Sequence, residues 1–395
     1  MSKKIIGIIV LIFFFILTLV LIFNRNNVHF SFNNNNKITS LSYKTIKYNK
    51  DMTIIQDPSC AIVEITPTND NAAEKYGLYK TRDYYILSSY NSCNTSANIE
   101  NNNISLDALK YVISQGVRFL DFEIYSLDNK PIVSTSNSPN NYHIFKSNNY
   151  VNFSDAFEVI INNAFNISTC PNNNDPLFVH LRVKSKNDKM LKNLASIFEK
   201  YENSTNYILG TNYSFEKLTC SQSADKTGKK CVSNNITEEP LYYFQNKIIL
   251  ILDRSNTTAL DCNELMEFIN LTSNSLYCRL INNFTMINSH DQIELLEFNK
   301  RTVTIVTPDI GINKNNPDID NSKLLGIQFN ANNFYKKDNS LTHSINMFNT
   351  AGCAFILKPP EMRYYPITVT LPSENPSSYA LKPTEVKTRF IEFSI

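Results

Sequence analysis

Short apolar runs of strand length alternate with amphipathic stretches of helical length along most of the chain. Polar turns separate them, as at Asp128 and Asn129. Strands that alternate with helices predict an α/β protein with a parallel sheet, and about eight strands suit a distorted (β/α)8 barrel of the TIM type. The predicted strands are Tyr84–Ser89, Arg118–Ile124, Pro131–Val133, Leu177–Val183, Lys247–Leu252, Val303–Val306, Leu325–Phe329 and Ala354–Leu357. The predicted helices are Leu106–Gln115, Ser154–Asn163, Met190–Tyr201, Glu264–Asn270 and Asp291–Asn299.

Two carboxylates stand two residues apart on one predicted strand. Asp121 and Glu123 share a strand face because side chains alternate with a period of two. Like charges side by side repel each other unless a cation or a proton lies between them. In a barrel the site lies at the C-terminal ends of the strands, where Ser88–Asn91 and Arg182 are also expected. The pair therefore marks the candidate site.

The first hydrophobic segment, Ile5–Phe23, is almost uninterrupted and has the length of one bilayer-spanning helix. Residues 1–4 carry two lysines and only Arg25 follows closely, so the positive-inside rule favours a cytoplasmic N-terminus. A cleaved signal peptide is a weaker alternative, because the run is long and no small-x-small cleavage site follows. The sequence predicts a single-pass membrane protein, with an Asn-rich tether over residues 24–52 and an extracytoplasmic or lumenal barrel.

Charge and cysteine content narrow the function classes. The net charge is +2 and the basic residues are scattered, so nothing indicates a nucleic-acid partner. The 8 cysteines allow disulfides in an oxidising compartment, with Cys220/Cys231 and Cys262/Cys278 close enough in sequence to pair. Free buried thiols are an equal alternative. Glycosylation sequons, which suit an external location, occur at Asn94, Asn152, Asn166, Asn212, Asn235 and Asn270.

Five segments occur in an order that resembles the X box of phosphoinositide-specific phospholipase C. They are ILSSYN, GVRFLDFEIY, KPIVS, NFSDAFEVI and DPLFVHLRV. Three later segments are similar to the Y box of that family, FNKRTVTIVTPDIGINKNNPD, LLGIQFNAN and FNTAGCAFILKPPEMR. The pattern is also similar to the diverged phospholipase-C-like proteins of large DNA viruses. The resemblance implies a distorted barrel with an X half over residues 53–254, a connection over 255–290, a Y half over 291–363 and an extension over 364–395.

In this family calcium, held by Asn and carboxylates, assists attack of the inositol 2-hydroxyl on the neighbouring phosphate, and two histidines assist the reaction. The resemblance places Asn91 at the metal-binding Asn, and Asp121 and Glu123 at the Glu/Asp pair with their side-chain lengths exchanged. Arg182 stands where the family has a further carboxylate ligand. A guanidinium there would neutralise the pair and compete with a divalent cation, so calcium is disfavoured.

The positions of both catalytic histidines are changed. Tyr90 stands at the first, and Thr135 stands at the second when the KPIVS strand is aligned. Aligned backwards from Phe153, His143 takes the second position instead. Tyrosine has an ordinary pKa of about 10 and cannot serve as a near-neutral acid or base. His180 is interpreted as a strand histidine beside Arg182.

Three functions stay open from the sequence. The first is a catalytically impaired or inactive phospholipase-C-like protein that binds a phosphate or inositol headgroup. The second is an active phosphatidylinositol phosphodiesterase that uses Arg182 in place of the metal, with Tyr90 and His143. The third is a structural or surface-binding protein that uses the barrel as a scaffold for an unidentified protein partner.

Overall fold

The computed structural model describes residues 79–96, 102–136, 145–215, 218–222, 229–233, 235–311, 314–365 and 385–394. The predicted Ile5–Phe23 helix, the tether that follows it and His143 lie outside these ranges. Within them, no helix is both long and apolar enough to cross a bilayer.

Strands and helices alternate along most of the described residues. The helices are α1 (Leu106–Ser114), α2 (Phe153–Asn163), α3 (Asp188–Ser204), α4 (Thr257–Leu260), α5 (Asn263–Met266), α6 (Asn283–Ile287), α7 (Gln292–Arg301), α8 (Ile319–Leu324) and α9 (Asn339–Ala351). The strands are β1 (Tyr84–Ser89), β2 (Phe119–Leu127), β3 (Lys130–Ser134), β4 (Val151–Asn152), β5 (Leu177–Val183), β6 (Leu218–Gln222), β7 (Lys229–Ser233), β8 (Ile248–Asp253), β9 (Leu271–Ser273), β10 (Cys278–Asn282), β11 (Val303–Thr307), β12 (Phe329–Asn332) and β13 (Phe355–Leu357).

Parallel pairing joins the main strands into a nearly closed barrel. Their order is β10-β11-β12-β1-β2-β5-β8-β9, and each neighbouring pair along this path is parallel. No ladder joins the two end strands, β9 and β10, within the part of the chain that the structure describes. The predicted (β/α)8 barrel is confirmed, with a seam between β9 and β10.

The identity of the barrel strands differs from the prediction at three places. The strands predicted around Pro131 and Phe355 exist, but β3 and β13 run antiparallel to β2 and β1 and lie off the barrel path. Residues 255–290, predicted to connect the two halves, also contribute two strands of the barrel path, β9 and β10, which the sequence did not predict. The strand predicted over Leu325–Phe329 starts at Phe329, because Gly326 with φ 64 follows the end of α8.

The helices begin and end where their sequences allow it. The hydroxyl of Ser105 accepts from the backbone N–H of Asp107 at 3.1 Å and caps α1, while Gly116 follows that helix with φ 80. Four residues on one face of α1 are buried, as the apolar spacing predicts: Ala108, Leu109, Val112 and Ile113. The helix predicted over Glu264–Asn270 is shorter: α5 ends at Met266, before β9 begins at Leu271.

Side-chain alternation on β2 separates the barrel interior from the helical layer. Phe122 contacts Phe153 of α2 with ring centroids 6.0 Å apart. Phe119 points the other way and lies 4.8 Å from Phe329 on β12, across the interior. Phe178 also packs on Phe329, at 5.1 Å. These rings form an apolar layer inside the barrel, and Asp121 and Glu123 follow on the same side of β2.

Cys262 and Cys278 are free buried thiols, so the local pair considered from the sequence is not formed. Cys220 and Cys231 lie opposite each other in the β6–β7 hairpin, and Cys353 is disulfide-bonded.

Residues 364–395 form a separate unit in which β14 (Glu385–Lys387) and β15 (Glu392–Ser394) pair antiparallel.

Candidate functional site

The register of β2 against β5 builds the site. Asp121 lies opposite His180, and Glu123 lies opposite Arg182. All four side chains have the period that turns them into the barrel interior, and all are buried. Two acids on one strand therefore meet two nitrogen-bearing side chains on the next.

The guanidinium of Arg182 occupies the space between the two acids. Its Nε donates to Asp121 Oδ1 at 2.9 Å, and its Nη2 donates to Asp121 Oδ2 at 2.6 Å. Its Nη1 donates to Glu123 Oε1 at 2.6 Å, and Nη2 also donates to Asn91 Oδ1 at 2.6 Å. The meeting of Asp121, Glu123 and Arg182 as close ion pairs, expected from the sequence, is confirmed by these distances.

The carboxylate of Asp121 is saturated with hydrogen-bond donors. Besides the two bonds from Arg182, it accepts from the backbone N–H of Asn91 at 3.0 Å, and its Oδ1 lies 2.8 Å from His180 Nδ1. An ionised carboxylate offers about four acceptor positions, and four contacts use them. Burial alone would raise the pKa of Asp121, but Arg182 and His180 outweigh it and hold that pKa well below its usual range.

Glu123 is held by donors alone. Its Oε2 accepts from the Tyr125 hydroxyl at 2.8 Å and from the backbone N–H of Ser136 at 2.9 Å, while Arg182 bonds to Oε1. All three neighbours donate, which is the environment that suits a carboxylate. Two carboxylates and one guanidinium then leave one net negative charge in the cluster.

Asn91 and Tyr90 follow the C-terminal end of β1 and border the guanidinium. Asn91 has φ 43, a left-handed conformation that Asn tolerates. Its Nδ2 is buried, and no described residue forms a hydrogen bond with it. The Arg182 guanidinium lies over the Tyr90 ring, 4.7 Å from its centroid. Burial raises the pKa of Tyr90 to about 12, so this phenol stays protonated near neutral pH.

Thr135 belongs to the loop that follows β3. It stands between Ser134, the register partner of Glu123, and Ser136, whose N–H binds Glu123. The Thr135 hydroxyl is buried and has no hydrogen-bond partner among the residues that the structure describes. The structure therefore brings six of the seven candidate residues to one end of the barrel, and the seventh, His143, lies outside the described residues.

His180 is a site residue that the sequence interpretation missed. Its Nε2 lies 2.8 Å from the hydroxyl of Ser273 on β9, and its Nδ1 lies 2.8 Å from Asp121. The strand assignment of His180 is correct, but its ring joins the carboxylate cluster. The available signal was the spacing of two between His180 and Arg182, which puts both on one face of β5.

The residues present do not fit the calcium ion that the family uses. Calcium takes six to eight oxygen ligands, whereas oxygens of Asn91, Asp121 and Glu123 already accept hydrogen bonds from Arg182. A guanidinium among these oxygens would also repel a divalent cation. Within the described ranges, no group of three or more His, Cys, Asp or Glu side chains could hold a metal ion.

The part of the chain that carries most of these residues is similar in sequence to a known protein family. Residues 79–218 match the sequence profile of the phosphatidylinositol-specific phospholipase C X domain. The matched X domain contains Tyr90, Asn91, Asp121, Glu123 and Arg182, whereas Ser273 lies beyond it.

Solved structures support the same fold for the phospholipase C-like barrel. PLC21 from L. pealei has a TM-score of 0.54 and 16% sequence identity, covering 72% of this chain and 38% of that one. PLC21 from S. officinalis has a TM-score of 0.53 and 18% identity, with the same two coverages. This chain thus spans well under half the length of both structures, and at such identities the likeness shows the fold alone. No curated protein sequence matches the chain.

Proposed function

We propose that this chain is a phospholipase C-like protein that has lost calcium-dependent phosphodiester cleavage and keeps its barrel as a binding scaffold. The observation that carries the proposal is the position of Arg182. Its guanidinium makes four hydrogen bonds to Asp121, Glu123 and Asn91, the residues at the family's metal-binding positions. A fixed cation in the protein replaces the exchangeable cation.

The proton-transfer groups are missing as well. Loss of one general acid or base lowers a rate by about 10² to 10⁴, and two family histidine positions are substituted here. Tyr90 holds its proton up to a pKa of about 12, and Thr135 has no ionisable group in the useful range. Asp121 cannot serve as a base, because its lone pairs are used by Arg182, His180 and Asn91.

The ligand of the proposed scaffold is a headgroup rich in hydroxyl groups. Asn91 Nδ2 and Thr135 Oγ1 border the cluster, are buried and lack a partner within the described part of the chain. A buried polar atom without a partner costs about 1–3 kcal/mol, so a bound hydroxyl would be favoured there. An inositol ring offers such hydroxyls. A phosphate group on that ring would be repelled by the net negative charge of the acid cluster, so the hydroxyls and not the phosphate are expected to face it.

Hydrolysis of phosphatidylinositol vesicles tests the proposal. The full-length protein should release no inositol phosphate above background, with or without calcium. The matched variant combines Tyr90→His, Thr135→His and Arg182→Glu, which returns imidazoles and a third carboxylate to the family positions. Calcium-dependent turnover in this variant alone supports the proposal. Robust turnover by the wild-type protein that disappears in Arg182→Ala would favour the arginine-assisted phosphodiesterase instead.

We also propose that residues 5–23 anchor the barrel to a membrane and leave it on the extracytoplasmic or lumenal side. The length of the apolar run and the lysines before it support this orientation. The disulfide at Cys353 and the exposed sequons at Asn152, Asn166 and Asn212 suit an oxidising compartment. In that location the barrel would meet external inositol lipids or glycans rather than cytoplasmic phosphoinositides.

A further inference from the structure

Three side chains from three barrel strands form a continuous chain of hydrogen bonds. Asp121 Oδ1 lies 2.8 Å from His180 Nδ1, and His180 Nε2 lies 2.8 Å from Ser273 Oγ. Asp121 comes from β2, His180 from β5 and Ser273 from β9, next to the seam of the barrel. The relative exposure of each residue is 0%.

The proton positions in this chain follow from the chemistry of its members. Ionised Asp121 can only accept, so the ring nitrogen that faces it, Nδ1, carries a proton. If the imidazole is neutral, Nε2 is an acceptor, and the Ser273 hydroxyl is the donor within reach. If the hydroxyl were absent, nothing in the described residues would hold the outer nitrogen in that role.

Serine, histidine and aspartate in this order serve as nucleophile, base and orienting acid in serine hydrolases. Two observations argue against that role here. Ser273 is fully buried, and Asp121 already forms an ion pair with Arg182 through both oxygens. The arrangement is suited to holding Asp121 still rather than to activating the Ser273 hydroxyl.

We propose that His180 and Ser273 are positioning residues that fix the carboxylate of Asp121 for the guanidinium of Arg182. Ser273 sets the tautomer of His180, and the Nδ1–H of His180 fixes the rotation of Asp121, so that both carboxylate oxygens face Arg182. The inference rests on the proposed function, because it names the residues that keep the former cation site in its arginine-filled form.

The alternation of β5 supports this role. His180 and Arg182 are two residues apart and donate to the same oxygen, Asp121 Oδ1, at 2.8 and 2.9 Å. The backbone N–H of Asn91 binds the other oxygen at 3.0 Å. His180 therefore restrains one side of the carboxylate, and Asn91 restrains the opposite side.

Nitrogen-15 NMR of the histidine rings in the full-length protein tests the proposal. His180 should show a protonated, pyrrole-type Nδ1 and an unprotonated, pyridine-type Nε2 that accepts a hydrogen bond; the His180→Gln variant assigns the signals. In Ser273→Ala the Nε2 resonance should lose the hydrogen-bond shift. The Arg182 Nε–H should then exchange with solvent about three to ten times faster, as expected for loss of one net hydrogen bond in the network.

Two further variants separate this role from general packing. Ser273→Thr keeps the hydroxyl and should restore both the Nε2 shift and the slow exchange. Thr272→Val removes the neighbouring hydroxyl on β9, which is buried and has no partner in the described ranges, and should change neither signal.

A protonated Nε2 in the wild-type protein would overturn the proposal without the need for any variant. An unchanged Nε2 shift together with unchanged Arg182 exchange in folded Ser273→Ala would also overturn it. These readings do not depend on enzymatic turnover. Failure of the positioning role is therefore distinguishable from failure of the proposed loss of hydrolysis.

Discussion

Arg182 and Asp121 face each other through two parallel hydrogen bonds, from Nε to Oδ1 at 2.9 Å and from Nη2 to Oδ2 at 2.6 Å. This fork-to-fork geometry is the strongest that a guanidinium and a carboxylate form, and lysine could not reproduce it. The same guanidinium also donates to Glu123 and to the side-chain oxygen of Asn91, so one side chain binds three residues at the end of the barrel. Because the guanidinium is buried, loss of any one of these partners should lower the stability of the folded protein.

Removal of the Arg182 charge should destabilise the protein strongly. In Arg182→Met, two buried carboxylates lose their counter-charge, and we expect a loss of about 3–5 kcal/mol in the free energy of unfolding. Urea denaturation followed by circular dichroism measures it. Arg279→Met is the matched control, because Arg279 pairs with Glu294 at the surface and should cost about 1 kcal/mol or less. Equal losses in the two variants would contradict the assignment of Arg182 as the central counter-ion.

A second buried acid should make stability depend on pH. Burial raises the pKa of Asp175 from 3.8 to about 7, although Arg118 and a hydrogen bond from Asn172 oppose the shift. Between these values the folded state holds a proton that the unfolded state has released. Stability therefore falls as pH rises through that window, by about 1.4 kcal/mol per pH unit from this group.

Asp175→Asn should remove this contribution. We expect a flatter dependence of the unfolding free energy on pH between about 4 and 7, and higher stability at pH 7 than in the wild-type protein. Urea titrations at several pH values measure the slope. An unchanged slope in the variant would show that Asp175 is ionised in the folded state at these pH values.

Glycan mapping tests the predicted location of the barrel. Passage through a secretory compartment should modify the exposed sequons at Asn152, Asn166 and Asn212. Asn94 and Asn270 should stay unmodified, because they are 1% and 0% exposed. Mass spectrometry of the protein from eukaryotic cells reads each site. Absence of glycans from all three exposed sequons would contradict a lumenal barrel.

The sequence predicted the central strand and its acid pair because their signals are local. The spacing of Asp121 and Glu123 fixes their common face, and the apolar run of β5 places Arg182 beside them. The strands β9 and β10 were missed because they are short and lie among polar, Asn-rich residues. Their place in the barrel depends on pairing with β8 and β11, which no local pattern specifies.

The role of His180 could not be obtained from its own strand. Its second partner, Ser273, is 93 residues later and comes from a strand that the sequence did not reveal. The orientation of β3 was also hidden, because a short apolar run reads alike in parallel and antiparallel pairing. The resemblance to a known family was enough to predict the residues around Arg182. Contacts that depend on closure of the barrel, such as that between His180 and Ser273, could be seen only in the three-dimensional structure.

Calcium titration by isothermal calorimetry tests the central claim most directly, using the wild-type protein and Arg182→Glu side by side. With its guanidinium between the acids, the wild-type protein should give no binding heat at millimolar calcium. Arg182→Glu adds a third carboxylate and frees oxygens of Asn91, Asp121 and Glu123, so saturable binding of one ion is expected. Saturable one-site binding to the wild-type protein that Asp121→Asn abolishes would contradict the claim that Arg182 has replaced the metal.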